Sequence, residues 1–426
     1  MKEQKKKHLF TNRQLAALLI PLALDQLLNS FMGTVDTLIV SNIGSAAISA
    51  VSLVDAINIL VVEAFLALAA GGTVVCSQYL GNKDVEKANK AAGQLVFVTF
   101  FLSLLMAVIC IAFHEPILRA IFGKVEKEVM DNAKIYFLFS AVAFPFIALY
   151  DDGASILRAQ ENSRLPMQIS IIANVLNVVL NLLFVWGFHL GVGGSACATM
   201  LARAFAMAAV LYELRKPKWT VHLKSYFSIR PDWDQIRRIL KIGIPSGIEN
   251  SMFQFGKLAI QSTVSMMGTA AIAAQGMTNT LENLNGIMAI GVGIGLMTVV
   301  GECMGAGRKD EAIYYVKKLS IIGEVVVIAS CLFIFALVRT MPRHTAVEPD
   351  GASATFLVAG LTPNKIVDFR PLFIALTLRR LDTVLNVDTA RSRHFGLLRH
   401  TFSKVPCREG RVAFRYHPCC QVRHEV

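Results

Sequence analysis

Charge is what this chain has least of. Only 17% of its 426 residues are Asp, Glu, Lys or Arg, against 54% apolar, and the mean hydropathy is +0.53. That balance lies outside the range of a soluble domain of this length and marks a polytopic membrane protein. Cysteine offers no disulfide scaffold: Cys76, Cys110, Cys197, Cys303 and Cys331 stand singly within or beside apolar runs, where a thiol serves as a small apolar side chain. The segment from His417 to His424 matches no zinc spacing, and no nucleophile stands beside a base. These absences argue against an enzyme and against a cofactor. The first apolar run also lacks the form of a secretory signal, because Pro21, Asp25 and Asn29 interrupt it and no small-residue cleavage site follows.

What is present is a series of long apolar stretches. Nine can cross a hydrocarbon layer of ~30 Å as helices: 14–40, 47–79, 91–113, 131–151, 166–188, 193–213, 240–264, 270–303 and 312–338. Lys and Arg gather in alternate loops. They occupy the N-terminus, 83–90, the pair Arg158 and Arg164, 215–238 and 308–318, while the loops near 43, 190 and 267 hold none. Only the loop at 114–130 breaks the pattern, with Arg119, Lys124 and Lys127 offset by Glu115, Glu126 and Glu128. The positive-inside rule then predicts a multi-pass protein of the plasma membrane with a cytoplasmic N-terminus. It also accounts for the net charge of +12 with no need for nucleic acid.

Residues 20–50 recur at 244–274 without a gap. At an offset of 224, Ile20, Pro21, Phe31, Val40, Ser41, Gly44, Ala46, Ala47, Ile48 and Ala50 meet identical residues, and the offset also pairs Gly81 with Gly305 and Ala88 with Ala312. An internal repeat of several spans is the mark of an alternating-access transporter. The fold expected is all-α: two pseudo-repeated helical lobes, a six-helix first lobe and an incomplete second. The expected parts are a basic N-terminus (1–13), the N-lobe (14–214), a linker (215–239), a partial C-lobe (240–339) and a tail (340–426). In the tail Lys gives way to Arg: it has 2 Lys and 11 Arg, with five of the nine His and six of the thirteen Pro. It contains no further full-length span, so it reads either as a basic cytoplasmic or disordered appendage or, as the broken repeat favours, as foreign or out of frame.

Charged and amide side chains within spans are costly and therefore functional candidates. Asp25, Asn29 and Asp36 fall within about 40° of one another around the first span. Pro21 before them, and its mate Pro245, remove backbone hydrogen bonds and are hinge candidates. Asp25 has an equally good structural reading, as a carboxylate that snorkels or caps. Asn174, Asn177 and Asn181 make a stripe on the fifth span that could bridge helices, or could present amide oxygens to a hard cation or proton site. In the second half Asn250, Gln254, Lys257 and Gln261 share a face beside Glu249. Lys257 needs a carboxylate, for which Glu249 and Glu282 are the candidates.

Five passages carry a resemblance: 35–44 (VDTLIVSNIG), 77–84 (SQYLGNKD), 157–166 (LRAQENSRLP), 191–199 (GVGGSACAT) and 301–309 (GECMGAGRK). In this order on a duplicated scaffold, the chain resembles the multidrug and toxic compound extrusion (MATE) family. The resemblance implies two six-helix lobes around a central cavity and export of organic cations in exchange for H+ or Na+. It implies a cation or proton site at Asp36, Asn177, Asn181 and Thr199, with sodium possible at Asp36, Asn177 and Asn181. Position 181 departs from the commoner pattern in carrying Asn for Asp, which favours protons. Asp25, Asn29, Asn174, Glu249, Gln254 and Glu282 are cavity candidates, and the partners expected are organic cations and membrane lipids, with the protein a monomer. Two other readings compete: an inactive fragment, and a flippase for lipid-linked sugars, which would need more cavity cations than Arg203.

Overall fold

The computed structural model describes residues 9–41, 43–122, 127–223, 231–265 and 290–340, all in the first of the two units into which the chain divides, Met1–Leu385. The tail from 341, Glu282 and the first part of the eighth expected span lie outside the described residues, as do the side chains of Lys257 and Gln261. Among the described residues every regular element is a helix. A bilayer supplies no hydrogen bonds to the backbone, so each apolar stretch must close its own.

The helices are α1 (Asn12–Ser41), α2 (Ser45–Gly81), α3 (Val85–Ala112), α4 (His114–Phe122), α5 (Lys127–Ala159), α6 (Arg164–Asn181), α7 (Gly191–Leu214) and α8 (Trp233–Ser265). They are followed by α9 (Ile290–Gly305) and α10 (Lys309–Thr340). Among the described residues, six are long and apolar enough to span a bilayer: α1, α2, α3, α5, α6 with the π turn Leu182–Gly187 that continues it, and α7. These are the first six expected spans. The turn between α2 and α3 shows how tightly the chain reverses: Lys83 takes φ 61°, and Asp84 caps α3 by accepting from the Lys87 amide at 3.1 Å.

Two boundaries differ from expectation. The segment 114–130, expected as a loop, contains α4, whose Glu115 accepts from Arg119 at 2.6 Å and from Lys134 of α5 at 3.0 Å. Two of its opposed charges, Glu115 and Arg119, are thus paired on one short helix, with Pro116 tolerated in the first turn, where its missing N–H costs nothing. Helix α5 runs eight residues past the expected end at 151, to Ala159. Arg158, expected in a loop, is buried inside the helix and pairs with Asp25, and Asp152 before it is buried as well.

Packing follows the rule for helices in lipid, where small residues allow close approach because no water is expelled. Ala141, Ala148, Ala154 and Ala159 of α5 and Ala198, Ala202 and Ala206 of α7 are buried. A Cβ on Gly153 would lie 2.6 Å from Val210. The outer faces are apolar and exposed, as with Phe101, Leu105 and Val108 on α3. The lobes meet along the repeat. Gly81 and Gly305 are mates at offset 224, as are Gln78 and Glu302, and a Cβ on Gly81 would strike the Glu302 carbonyl while one on Gly305 would strike that of Gln78. Helices α2 and α9 thus cross backbone to backbone about a local pseudo-twofold, one turn from the mated pair Ser77 and Gly301, whose added Cβ would lie 2.7 Å from the serine Cβ.

Candidate functional site

The polar stripe of α6 faces inward. Ser170, Ala173, Asn177 and Asn181 are buried, while Ile172, Val175 and Val179 are exposed, so the 3.6-residue period sorts amides to the bundle and aliphatics to lipid. Asn181 Nδ2 donates to Asp36 Oδ1 at 3.1 Å and to Asn177 Oδ1 at 2.9 Å. Asn177 Nδ2 donates to Thr199 Oγ1 at 3.1 Å. Four residues from α1, α6 and α7 therefore form one connected group. Asn181 is 0% exposed, yet its Oδ1 has no hydrogen-bond partner. An unmet buried acceptor costs on the order of 1–3 kcal/mol, and carboxylate, amide and hydroxyl oxygens are the donor set of a hard cation.

A second group lies about three helical turns nearer the start of α1. Asp25 is 3% exposed and pairs with Arg158 at 3.4 Å. Asn29 Nδ2 donates to Asp25 Oδ1 at 3.3 Å, and its Oδ1 accepts from Ser170 at 3.3 Å and Asn174 at 3.2 Å. The snorkelling or capping role considered for Asp25 does not hold, because Arg158 reaches it from α5. Asn174 bridges α6 to α1 as a membrane amide commonly does. The three candidates Asp25, Asn29 and Asn174 thus belong to a network separate from Asp36.

On α8, Glu249 and Gln254 are half-buried, and Asn250 Nδ2 donates to Glu63 Oε2 of α2 at 2.9 Å. Pro21 and Pro245 both lie inside unbroken helices, α1 and α8. Several acidic groups beyond the sequence candidates lie in the first six spans. Asp55 and Glu63 stand on α2, and Asp151 and Asp152 on α5. Asp55 Oδ1 accepts from Asn58 at 3.4 Å, and Asn58 also donates to Ser140 at 3.2 Å. The signal was available, since a carboxylate inside an apolar run is a candidate wherever it falls. Arg203 lies on α7 one turn after Thr199, and its charge acts on both Asp36 and Asp151. Among the described residues, the first six spans thus hold more buried acid than base.

Comparison with known proteins places this geometry. The family model MatE matches residues 21–183 and 245–356. The chain is 24% identical over 406 residues to the probable multidrug resistance protein NorM of Thermotoga maritima, covering 92% of this chain and 81% of that one. It is 27% identical over 298 residues to the uncharacterized transporter YisQ of Bacillus subtilis, covering 68% of this chain and 64% of that one. Among solved structures, an aspartate-to-asparagine variant of the Vibrio cholerae MATE transporter VcmN superposes with a TM-score of 0.79 at 18% identity, covering 88% and 83% of the two chains. An outward-facing MATE-family multidrug resistance transporter gives 0.74 at 19% identity, covering 87% and 80%. At such identity the structures establish the fold, and the family model covers well over half of the chain. This chain therefore belongs to the MATE family of multi-pass membrane transporters.

Proposed function

We propose that the protein is a secondary antiporter that exports organic cations in exchange for protons by alternating access between its two lobes. The observation that carries this reading is the hydrogen-bonded group of Asp36, Asn177, Asn181 and Thr199, built at the meeting of three helices with one amide oxygen unmet. A carboxylate in such surroundings holds a monovalent cation or a proton, and one bound species excludes the other. Protonation from outside releases the organic cation, and deprotonation on the inner side restores the site. Sodium is the alternative coupling ion, disfavoured because position 181 is an amide and adds no charge. A diphosphate-linked sugar would need a basic cavity, whereas Asp25, Asp36, Asp55, Glu63 and Asp151 outnumber Arg158 and Arg203. We place the site in the plasma membrane with the N-terminus cytoplasmic and the protein a monomer, on the Lys/Arg pattern and the self-contained N-lobe.

Efflux of a cationic dye from everted vesicles carrying the 426-residue chain tests the reading. Asp36→Asn abolishes efflux if it is right. Wild-type efflux from the variant would refute the site, and no efflux from wild-type vesicles would return the reading of an incomplete second lobe.

A further inference from the structure

We infer that the short segments leading into α1 and α8 are a pair of straps, related by the pseudo-twofold, that lock the two lobes together at one end of the bundle, and that the contact of Phe10 with Tyr315 is a latch that must release before the cavity opens there. The inference rests on the alternating-access part of the reading above, and not on the choice of ion at Asp36.

The first strap is the segment ahead of α1. Thr11 and Gln14 cap that helix reciprocally, the Thr11 amide donating to Gln14 Oε1 at 2.9 Å and the Gln14 amide to Thr11 Oγ1 at 3.3 Å. The residues beside this cap lie against α10, in the other lobe. The Leu9 amide donates to Glu311 Oε2 at 2.9 Å, and Lys318 Nζ donates to Asn12 Oδ1 at 2.6 Å. Between them the Tyr315 hydroxyl accepts from the Phe10 amide at 2.9 Å and donates to the Phe10 carbonyl at 2.8 Å, so one side chain closes both backbone groups of one residue. The two rings meet edge to face with centroids 5.8 Å apart, and Phe10 and Tyr315 are only 4% and 1% exposed. The leader of the first lobe is thus buried on the second.

The segment ahead of α8 does the same with the lobes exchanged. Asp232 caps α8 by accepting at Oδ1 from the amides of Asp234 at 3.1 Å and Gln235 at 3.4 Å, and its own amide donates to Gln94 Oε1 of α3 at 3.0 Å. Gln94 and Lys318 are mates at the offset of 224, so the same position on the third helix of each lobe holds the leader of the other lobe. The place is kept while the chemistry differs. Here Tyr79 of α2 donates its hydroxyl to Gln235 Oε1 at 3.1 Å and accepts from Arg238 Nη1 at 2.6 Å, with the guanidinium 5.5 Å from the ring centroid. Both straps lie at the end of the bundle where α2 and α9 finish and α1, α3, α8 and α10 begin. Rocking the lobes apart at that end carries α10 away from the leader of α1 and α3 away from the leader of α8 in one motion. Phe10 and Tyr315 are then exposed and both sets of hydrogen bonds break, so the straps release together.

Hydrogen–deuterium exchange of the 426-residue chain in lipid nanodiscs tests the coupling. Residues 9–15 report the first strap and 232–238 the second, in wild type, Tyr315→Phe, Phe10→Leu and Gln94→Leu. Tyr315→Phe keeps the ring and loses only the hydroxyl, and Phe10→Leu keeps an apolar side chain at the buried position; residues 141–157 of α5 report an intact fold. Weakening either strap raises the population open at that end, so exchange should rise about tenfold in both straps in each variant. A rise confined to the substituted strap would show two independent local contacts and overturn the inference, as would exchange unchanged from wild type in all three variants. Joint exchange in the variants, with no dye efflux from wild-type vesicles, would instead refute the antiport reading and leave the straps standing.

Discussion

Removing Arg158 tests how the N-lobe holds its buried charge. The guanidinium sits 3.4 Å from Asp25, with side chains only 9% and 4% exposed, and its charge also reaches Asp151. Exposed ion pairs contribute at most about 1 kcal/mol. Breaking a buried pair by deleting one partner costs roughly 3–5 kcal/mol, because the survivor is left unpaired in low dielectric. Arg158→Ala strands two carboxylates at once. Asp25→Asn strands only one charge, and that charge still has Asp151 beside it; the new amide can also keep a hydrogen bond with Asn29. The expected order is therefore Arg158→Ala worse than Asp25→Asn, with the double variant less damaged than the sum of the two. Thermal melting of the detergent-solubilised protein reads this as a midpoint lowered by roughly 5–10 °C for Arg158→Ala and about half that for Asp25→Asn. A shift within about 2 °C for Arg158→Ala, or the reverse order, would show that the pair behaves as a surface contact and that the buried network is misassigned.

Further outcomes follow from other contacts. Gly305→Ala and Gly81→Ala each place a Cβ against a backbone carbonyl of the opposite lobe, and overpacking of this kind costs about 1–3 kcal/mol; a cysteine cross-link from α2 to α9 should form more slowly in both variants. Asn250→Leu removes the 2.9 Å hydrogen bond to Glu63 and should lower the melting temperature, whereas Asn250→Asp should lower it further through like charge, read in the same assay. Lys134 and Arg119 hold the Glu115 carboxyl below the usual carboxylate range. A depressed folded pKa gives stability that is full above the unfolded value and is lost as pH falls through the folded one. The melting difference between wild type and Glu115→Gln should therefore be constant near neutrality and vanish in acid below the ordinary carboxylate range.

Much of the fold was legible because hydropathy and the repeat speak directly about a bilayer. The six N-lobe spans lie where the apolar runs put them, and the offset that pairs Gly81 with Gly305 becomes a physical crossing of α2 and α9. Helix α4 was hidden because a short amphipathic helix at a membrane face has a loop's composition. The end of α5 was misplaced because Asp151, Asp152 and Arg158 look like the start of a loop until Asp25, far away in sequence, is brought beside Arg158. Asn177 and Asn181 could be read from helical period alone. That Asn181 meets Asp36, while Asn174 meets Asn29, could not, since it depends on how α1 is set against α6. Asp55 was hidden for a different reason: an isolated carboxylate on α2 has no polar partner in its own sequence neighbourhood except Asn58.

The central claim is that cation export is coupled to protons at Asp36. Its most direct measurement is accumulation of tetraphenylphosphonium by proteoliposomes in which a pH gradient is imposed in sodium-free medium with the membrane potential clamped. The account predicts accumulation on the acidic side by wild type, collapse on adding a proton uncoupler, and none by Asp36→Asn. Accumulation that ignores the pH gradient but follows a sodium gradient, or that persists unchanged in Asp36→Asn, would contradict it.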